Sequence, residues 1–324
     1  MTTTIKKIAL GNNGPLVSKL GLGCMRMSSV WGSTANDESE SIATIHEALD
    51  RGINFLNTGD FYAHGHNEML VGRAIKGRRD EAFISVKFGA IFYGGQWLGL
   101  DLRPNSIKNF INYSLVRLGI DTIDLYQPCR LDNSVPVEDV IGTIADLIKE
   151  GKVRHLGVSE ISADQLRKAH AVHPVAALEI GYSLADRQIE SDLLPTAKEL
   201  GIGVVAFANT AEGLLTGDMK APLAPGSYQN HFSRFQGENL IKNLEKVEVL
   251  KQLAKAKGFT PTQLAIAWVN AQGGHIMPLV SMGRRSRLPE NIQATAIEFT
   301  TEEMKTLNTH FSPGSILGGT YLQR

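Results

Sequence analysis

The chain has 324 residues, of which 43% are hydrophobic and 20% are charged, the balance expected of a soluble globular protein with a sizeable core. Its 33 basic and 33 acidic residues cancel, which removes the electrostatic argument for nucleic acid or an anionic membrane as a partner. The two cysteines, Cys24 and Cys129, show no metal-like spacing, and the sequence has no secretion signal or long apolar segment. We therefore expect a soluble, cytoplasmic protein that binds no metal.

Taken in chain order, KIALGNNGPLVSKL first predicts a β-hairpin that turns at Asn13-Gly14, the commonest type I′ pair. Short apolar runs follow, and helix-periodic segments separate nearly all of them. Eight of these runs predict strands, namely LGLGCM, INFLN, AFISVK, IDTIDLY, KVRHLGVS, AALEIGY, IGVVAFA and HIMPLV. Four glycines stand where the intervening helices need a left-handed terminator, namely Gly52, Gly119, Gly151 and Gly201.

Alternating strands and helices without a linker predict a parallel sheet in a single domain over residues 1–324. Eight units at this length favour a closed (β/α)8 barrel, whose bottom the N-terminal hairpin would cover. An open dinucleotide-binding sheet would carry GxGxxG after its first strand, but Arg26 and Met27 follow the first two glycines here. The long stretches 88–103 and 208–237 have no clear periodicity and suggest active-site lids.

Chemistry in such a barrel lies at the carboxyl ends of the strands. Tyr62 follows the second predicted strand and Lys87 closes the third. A tyrosine that faces a lysine is a workable general acid, because a nearby ammonium favours the phenolate. From spacing alone, however, a tyrosine and a lysine at strand ends are more often a packing residue and a solvated charge.

Six motifs resemble those of the aldo-keto reductases. GINFLNTGDFYAHGHNEMLVGRAIKG resembles the segment that carries their catalytic aspartate and tyrosine, ISVKFG their lysine strand and DLYQPCRLDNSVPVEDVIG their histidine strand. The motifs KVRHLGVSE, GLLTG and RLPEN follow in the same order and extend the resemblance over nearly the whole chain. The chain is most similar to a branch of bacterial and plant reductases that act on aldehydes, ketones and pyridoxal. The resemblance implies reversible hydride transfer between NADP(H) and a carbonyl.

The resemblance makes Tyr62 the acid that protonates the carbonyl oxygen and Lys87 the group that lowers the tyrosine pKa. Asn57 stands where the family has the aspartate that pairs with the lysine. An amide can hydrogen-bond Lys87 but cannot neutralise it, so we expect the ammonium to lack a carboxylate partner. Such an ammonium either stays charged and lowers the Tyr62 pKa further, or loses its proton.

Cys129 stands where the family has a histidine that donates a hydrogen bond to the carbonyl. A thiol is a weak donor and cannot replace an imidazole N–H. Cys129 is therefore either a small buried hydrophobe or a redox or nucleophilic thiol. His64 and His66 follow Tyr62 and either replace the lost donor or are simply solvated.

The resemblance places four residues around the nicotinamide. Ser159 matches the serine that holds the carboxamide, and Glu160 stands where many members have asparagine. Glu179 replaces a glutamine, and a carboxylate accepts hydrogen bonds from the carboxamide but cannot donate to its oxygen. Phe207 replaces a tyrosine and keeps the stacking face.

The resemblance places the residues that hold the phosphates and the adenosine of the cofactor later in the chain. Ala208, Asn209 and Thr210 replace the usual SPL, so phosphate contacts fall mainly to backbone N–H groups there. Four residues match or flank the positions that read the 2′-phosphate and the adenine, namely Arg284, Arg287, Glu290 and Asn291, and Arg285 is also nearby. A cluster of arginines suits a dianionic phosphate, and the predicted cofactor is therefore NADP.

Trp97 and the segment 311–324 occupy regions that shape the substrate pocket in the family, which implies an apolar pocket that accepts rings. The main interpretation is an NADP-dependent oxidoreductase that acts on a small aldehyde, ketone or alcohol. A second hypothesis is a weakened dinucleotide-binding sensor or regulatory barrel, and a third is a non-redox lyase or isomerase that uses Tyr62 and Lys87.

Overall fold

The computed structural model describes residues 5–12, 14–28, 37–132 and 134–321. Within these ranges the strands are β1 Lys7–Ala9, β2 Leu16–Ser18, β3 Gly21–Gly23, β4 Phe55–Gly59, β5 Phe83–Phe88, β6 Ala90–Tyr93, β7 Gln96–Leu100, β8 Ile123–Pro128, β9 Val153–Ser159, β10 Val175–Gly181, β11 Gly203–Phe207 and β12 Ile276–Ser281. The helices are α1 Glu38–Asp50, α2 His66–Ile75, α3 Pro104–Leu118, α4 Val137–Lys149, α5 Ala163–Val172, α6 Leu193–Glu199, α7 Gly237–Lys257, α8 Pro261–Asn270, α9 Leu288–Ala294 and α10 Thr301–His310.

Eight strands close into a barrel in the order β10-β11-β12-β3-β4-β5-β8-β9, and neighbouring strands run parallel. Each corresponds to one of the eight apolar runs, so the predicted (β/α)8 barrel is confirmed. The strands β4, β5 and β8 are buried along their whole length, as strands with a packed interior on one face and helices on the other must be. The four glycines predicted to end helices all have positive φ, from 65° to 86°.

The N-terminal hairpin of β1 and β2 is confirmed and covers one end of the barrel. Leu10 and Val17 are fully buried in an interior cluster with Phe55, Phe83 and residues of four other strands. The amide of Leu10 donates to the carbonyl of Pro15, so the connection is longer than the two-residue turn predicted at Asn13-Gly14. Asn13 itself lies outside the described residues.

The two stretches predicted to be irregular have different structures. Residues 88–103 contain the antiparallel hairpin of β6 and β7, which the prediction did not include. Residues 208–237 contain short 3-10 helices at Ala211–Thr216, Tyr228–His231 and Ser233–Phe235. Over the described ranges no helix is both long and apolar enough to cross a membrane.

Candidate active site

The centre of the site is Lys87, which lies at the carboxyl end of β5 with its side chain 7% exposed. Its Nζ donates to Asn57 Oδ1 at 2.5 Å and to Glu179 Oε1 at 2.9 Å. Asn57 lies on β4 and Glu179 on β10, and these strands stand on opposite sides of the closed barrel. The hydrogen bonds therefore cross the barrel interior.

The expectation that Lys87 lacks a carboxylate partner is wrong. Asn57 contacts Lys87 as an amide, as expected, but Glu179 supplies the negative charge from the far wall. Lys87 and Glu179 are 92 residues apart, and only closure of the barrel brings them together. Both oxygens of Glu179 accept hydrogen bonds from side chains inside the barrel. The resemblance had instead assigned Glu179 to the carboxamide of the nicotinamide.

Two further polar residues complete what we call the lysine network, which consists of Asn57, Ser85, Lys87, Gln127 and Glu179. Asn57 Nδ2 donates to Glu179 Oε2 at 2.6 Å and to Ser85 Oγ at 3.2 Å. Gln127 Nε2 donates to Glu179 Oε2 at 2.5 Å and to Ser85 Oγ at 3.2 Å. Every member is buried, so the network is held rigidly by packing as well as by hydrogen bonds.

Sequence reasoning missed Ser85 and Gln127, although a signal was present. Ser85 and Lys87 are two residues apart in FISVKF, so they point to the same face of β5. Gln127 is likewise a polar residue inside the fully buried strand IDLYQP. Gly157 on the neighbouring strand leaves room for it, because a Cβ there would lie 2.9 Å from Gln127 Oε1.

Tyr62 lies over the network in the turn after β4. The turn is sharp, since Ala63 and His64 both have positive φ, and it buries the tyrosine side chain. Lys87 Nζ lies 5.2 Å from the centroid of the Tyr62 ring. The structure thus brings together the two residues that were predicted to form the general acid.

The charges of this pair follow from burial and from Glu179. Burial alone lowers the pKa of the Lys87 ammonium, but the charge and hydrogen bond of Glu179, together with the contact to Tyr62, outweigh it and raise the pKa, so Lys87 stays charged. Burial raises the pKa of Tyr62 to about 12, against the lowering effect of Lys87, and the charge of Glu179 adds to the rise. The pKa of Tyr62 is therefore not lowered as expected, and the phenol carries its proton at neutral pH.

Cys129 follows β8 beside this pair, and its amide donates to the carbonyl of Phe88 at 2.8 Å. Burial raises the pKa of its thiol to about 12, although Lys87 and Arg130 lower it. A protonated thiol is a poor nucleophile, which favours the small neutral residue over the reactive one. His66 is hydrogen-bonded to Ser28 at 3.0 Å and His64 is exposed, so neither joins the lysine network.

A row of aromatic rings leads from Tyr62 towards the surface. Phe61 packs edge-on against Tyr62 with centroids 4.8 Å apart, and it stacks on Phe92 of β6 at 5.8 Å. Phe92 in turn contacts Trp97 of β7 edge-on at 5.3 Å, and Trp97 is 43% exposed. The predicted pocket residue Trp97 is thus linked to the site, through Phe61 and Phe92 that sequence reasoning did not single out.

The residues predicted to hold the nicotinamide lie at the carboxyl ends of three adjacent strands. Ser159 ends β9 and pairs in register with Glu179, and Phe207 ends β11 with its ring half-buried. Glu160 follows Ser159 with a φ of 52° and accepts from the amide of Gly181 at 3.0 Å. Its pKa is raised by burial, and Arg130 lies 3.7 Å away.

The predicted phosphate loop after β11 has an unusual backbone. Ala208, Ala211 and Glu212 all have positive φ, and the carbonyl of Thr210 accepts from Gly213 and Leu215. Left-handed residues of this kind occur in anion-binding turns, but the amide of Ala211 donates within the loop to the carbonyl of Ala208 at 2.8 Å. The Asn209 side chain faces inward, where it donates to the carbonyls of Ala206 at 2.9 Å and Tyr182 at 3.3 Å.

The arginines predicted near the adenosine form an exposed group that we call the arginine rim, comprising Arg284, Arg285 and Arg287 after β12. Arg287 is 67% exposed and lies 3.3 Å from Glu290, which also accepts from the hydroxyl of Thr260 at 2.7 Å. Arg285 instead pairs with Glu40 of α1 at 2.8 Å. Asn291 lies buried in α9, next to Glu290. Over the described part of the chain, His, Cys, Asp and Glu form no cluster able to hold a metal.

Comparison with known proteins agrees with the barrel fold. Residues 19–311 match the Aldo/keto reductase family. A Glycine max protein named "Probable aldo-keto reductase 1" is 37% identical over 320 residues, which cover 98% of this chain and 92% of that protein. The chain therefore belongs to the aldo/keto reductase family.

Two solved structures show the same architecture. A glycerol dehydrogenase from Gluconobacter oxydans is 29% identical with a TM-score of 0.86, and the match covers 96% of this chain and 95% of that one. The holo form of an aldo-keto reductase from Bacillus halodurans is 27% identical with a TM-score of 0.75, covering 94% and 96% respectively. These similarities agree with the closed barrel, and together with the family they support an oxidoreductase.

Proposed function

We propose that the protein is an NADP-dependent oxidoreductase that interconverts a small aldehyde or ketone and the corresponding alcohol. The observation that carries the proposal is the buried pair of Tyr62 and Lys87, with Lys87 Nζ 5.2 Å from the ring centroid. A protonated phenol held over a charged ammonium can deliver a proton to a carbonyl oxygen, and the ammonium stabilises the phenolate left behind. The cytoplasmic setting is proposed with it, on the two free cysteines.

The residues present fit a nicotinamide dinucleotide. Ser159 and the half-buried Phe207 would hold the nicotinamide, backbone N–H groups of the loop 208–212 the phosphates, and Arg287 the 2′-phosphate. The cofactor, when bound, supplies or accepts the hydride. The chain's own part is to orient the carbonyl, to exclude water around Lys87 and to place the proton on Tyr62 Oη.

The substrate class follows from the row of rings. Phe61, Phe92 and Trp97 offer apolar faces beside Tyr62, so we infer a carbonyl that carries an apolar or aromatic group. The structural similarity to a glycerol dehydrogenase supports an alcohol as the reduced form. The hydrogen-bond donor lost at Cys129 implies slow turnover of simple aldehydes.

The test is NADPH consumption with a panel of aliphatic and aromatic aldehydes, for the wild type and Tyr62→Phe. We expect the variant to lose about 10²- to 10⁴-fold in kcat/KM and to keep its cofactor affinity. Tyr113→Phe is the matched control, because Tyr113 is an exposed residue of α3, and it should retain wild-type rates. NADPH binding without consumption would instead support the regulatory barrel, and no binding would support the non-redox enzyme.

A further inference from the structure

The lysine network contains both the amide and the carboxylate expected of this family, but at the opposite positions. The resemblance described above implies aspartate where this chain has Asn57 and glutamine where it has Glu179. Here the amide lies on β4 and the carboxylate on β10, and both contact the same ammonium. We propose that the two positions have exchanged charge, so that Glu179 acts as the positioning residue that holds Lys87 charged beneath Tyr62. This inference rests on the proposed function of the same site.

The geometry supports an exchange because the two side chains are in direct contact. Asn57 Nδ2 donates to Glu179 Oε2 at 2.6 Å, so a carboxylate at 57 and an amide at 179 would keep this bond with donor and acceptor reversed. Lys87 Nζ reaches an oxygen of each side chain, and an aspartate oxygen and a glutamine oxygen would accept from it equally well. The ammonium would keep one negative and one neutral partner in either arrangement.

The rest of the network can follow the reversal. Gln127 now donates to Glu179 Oε2, and its own Oε1 has no hydrogen-bond partner within the described part of the chain. Rotation of the Gln127 amide would present that oxygen to a glutamine at 179. The hydroxyl of Ser85 can turn to donate to a carboxylate at 57, since a hydroxyl both donates and accepts.

Glu179 also matters for the acid itself. Its negative charge keeps the buried ammonium protonated and raises the Tyr62 pKa, so the phenol remains neutral and able to donate. Glu179→Gln removes that charge. If Lys87 stays charged in this variant, the Tyr62 phenol ionises at lower pH. If the Lys87 pKa falls instead, the ammonium loses its proton at lower pH and no longer stabilises the phenolate. In both cases the alkaline limit of carbonyl reduction moves to lower pH.

The experiment compares wild type, Glu179→Gln, Asn57→Asp and the double variant, with the pH profile of kcat/KM and thermal unfolding as readouts. Glu179→Gln should move the alkaline limb of kcat/KM down by about one pH unit or more, so that kcat/KM measured on that limb falls about ten-fold or more. Asn57→Asp alone adds a second carboxylate 2.6 Å from the first and should lower the Tm. The double variant should return the rate to within about three-fold of wild type and should bring back both the pH limb and the Tm.

A matched control places the same charge elsewhere in the network. Glu179→Gln with Gln127→Glu has the same net charge as the double variant, but Gln127 has no described hydrogen bond to Lys87. It should rescue neither the pH limb nor the rate. A general structural role for Glu179 predicts instead that no second change restores the pH limb.

The two readouts separate failure of this inference from failure of the proposed function. If Asn57→Asp lowers the Tm and rate of Glu179→Gln further, or leaves them unchanged, the charge exchange is refuted. If the wild type reduces no carbonyl while the Tm of the double variant recovers, the proposed function fails and the role of Glu179 beneath a catalytic Tyr62 fails with it. The exchange would then stand only as a stabilising ion pair.

Discussion

The lysine network and the arginine rim each contain an ion pair, in very different surroundings. Lys87 and Glu179 are 2.9 Å apart with side chains 7% and 3% exposed, whereas Arg287 and Glu290 are 3.3 Å apart and Arg287 is 67% exposed. Two charges at such distances attract weakly in water and several-fold more strongly in a protein interior. The interior pair is therefore expected to control folding and protonation, and the rim pair to tune the affinity for an anion.

The two regions also differ in the substitutions that they can tolerate. A buried ammonium without its carboxylate is costly, so every partner in the lysine network is coupled to the others. The exposed arginine can exchange Glu290 for water or for a phosphate at little cost, because both alternatives solvate it. Substitutions inside the barrel should therefore change stability, pH dependence and activity together, and substitutions at the rim should change binding alone.

The largest effect is expected from breaking the interior pair. Lys87→Met leaves Glu179 buried without its ammonium, and loss of one partner of a buried pair costs about 3–5 kcal/mol. The free energy of unfolding measured in urea should fall by that amount at neutral pH. Lys87→Met with Glu179→Gln removes both charges and should recover most of the loss. If Lys87→Met were as stable as wild type, the interior ion pair would contribute no more to stability than the rim pair.

A smaller effect is expected at the edge of the network. Cys129→His would restore an N–H donor for the carbonyl, and one such donor is worth about 2.7–4 kcal/mol in comparable oxyanion sites. Since a new side chain seldom reaches the full effect, we expect kcat/KM for simple aldehydes to rise about ten- to a hundred-fold. Cys129→Leu has similar bulk without a donor and should give no rise. Loss of activity in Cys129→His would instead indicate a site adapted to a substrate that brings its own donor.

Much of the fold was predictable because its signals are local. Apolar runs and terminating glycines such as Gly119 and Gly151 follow from neighbouring residues, and all eight barrel strands were predicted. The hairpin of β6 and β7 was missed although Gly94-Gly95 separates its strands, a two-residue pair that is typical of tight hairpins. Its strands lie in a stretch rich in glycine and aromatic residues, which obscured their periodicity.

The site was predictable in part. Tyr62, Lys87 and Asn57 lie on consecutive units, and the structure brings them together. Their relation to Glu179 was not predicted, because a carboxylate inside the apolar run AALEIGY indicates a buried charge but not which residue it meets across the interior. The pKa of Tyr62 was also misjudged, since burial depends on the packed turn around the ring rather than on its neighbours in sequence.

The smallest effect is expected at the rim, and it tests whether that region selects the cofactor. Arg287→Ala should weaken NADPH binding by about ten-fold, near the lower end of the range for a charge-assisted hydrogen bond, because the guanidinium is exposed and already pairs with Glu290. NADH binding should hardly change, since NADH has a hydroxyl where NADPH has a phosphate.

The measurement is fluorescence titration of both cofactors at low and high salt. The NADPH preference should shrink as salt rises, because exposed charges are screened. Arg285→Ala serves as the matched control, because Arg285 is paired with Glu40, and it should weaken NADPH binding less than Arg287→Ala. The free energy of unfolding should stay within about 0.5 kcal/mol of wild type in both variants. If the wild type bound NADPH and NADH with equal affinity, the arginine rim would not recognise the 2′-phosphate, and its arginines would be solvated surface charges.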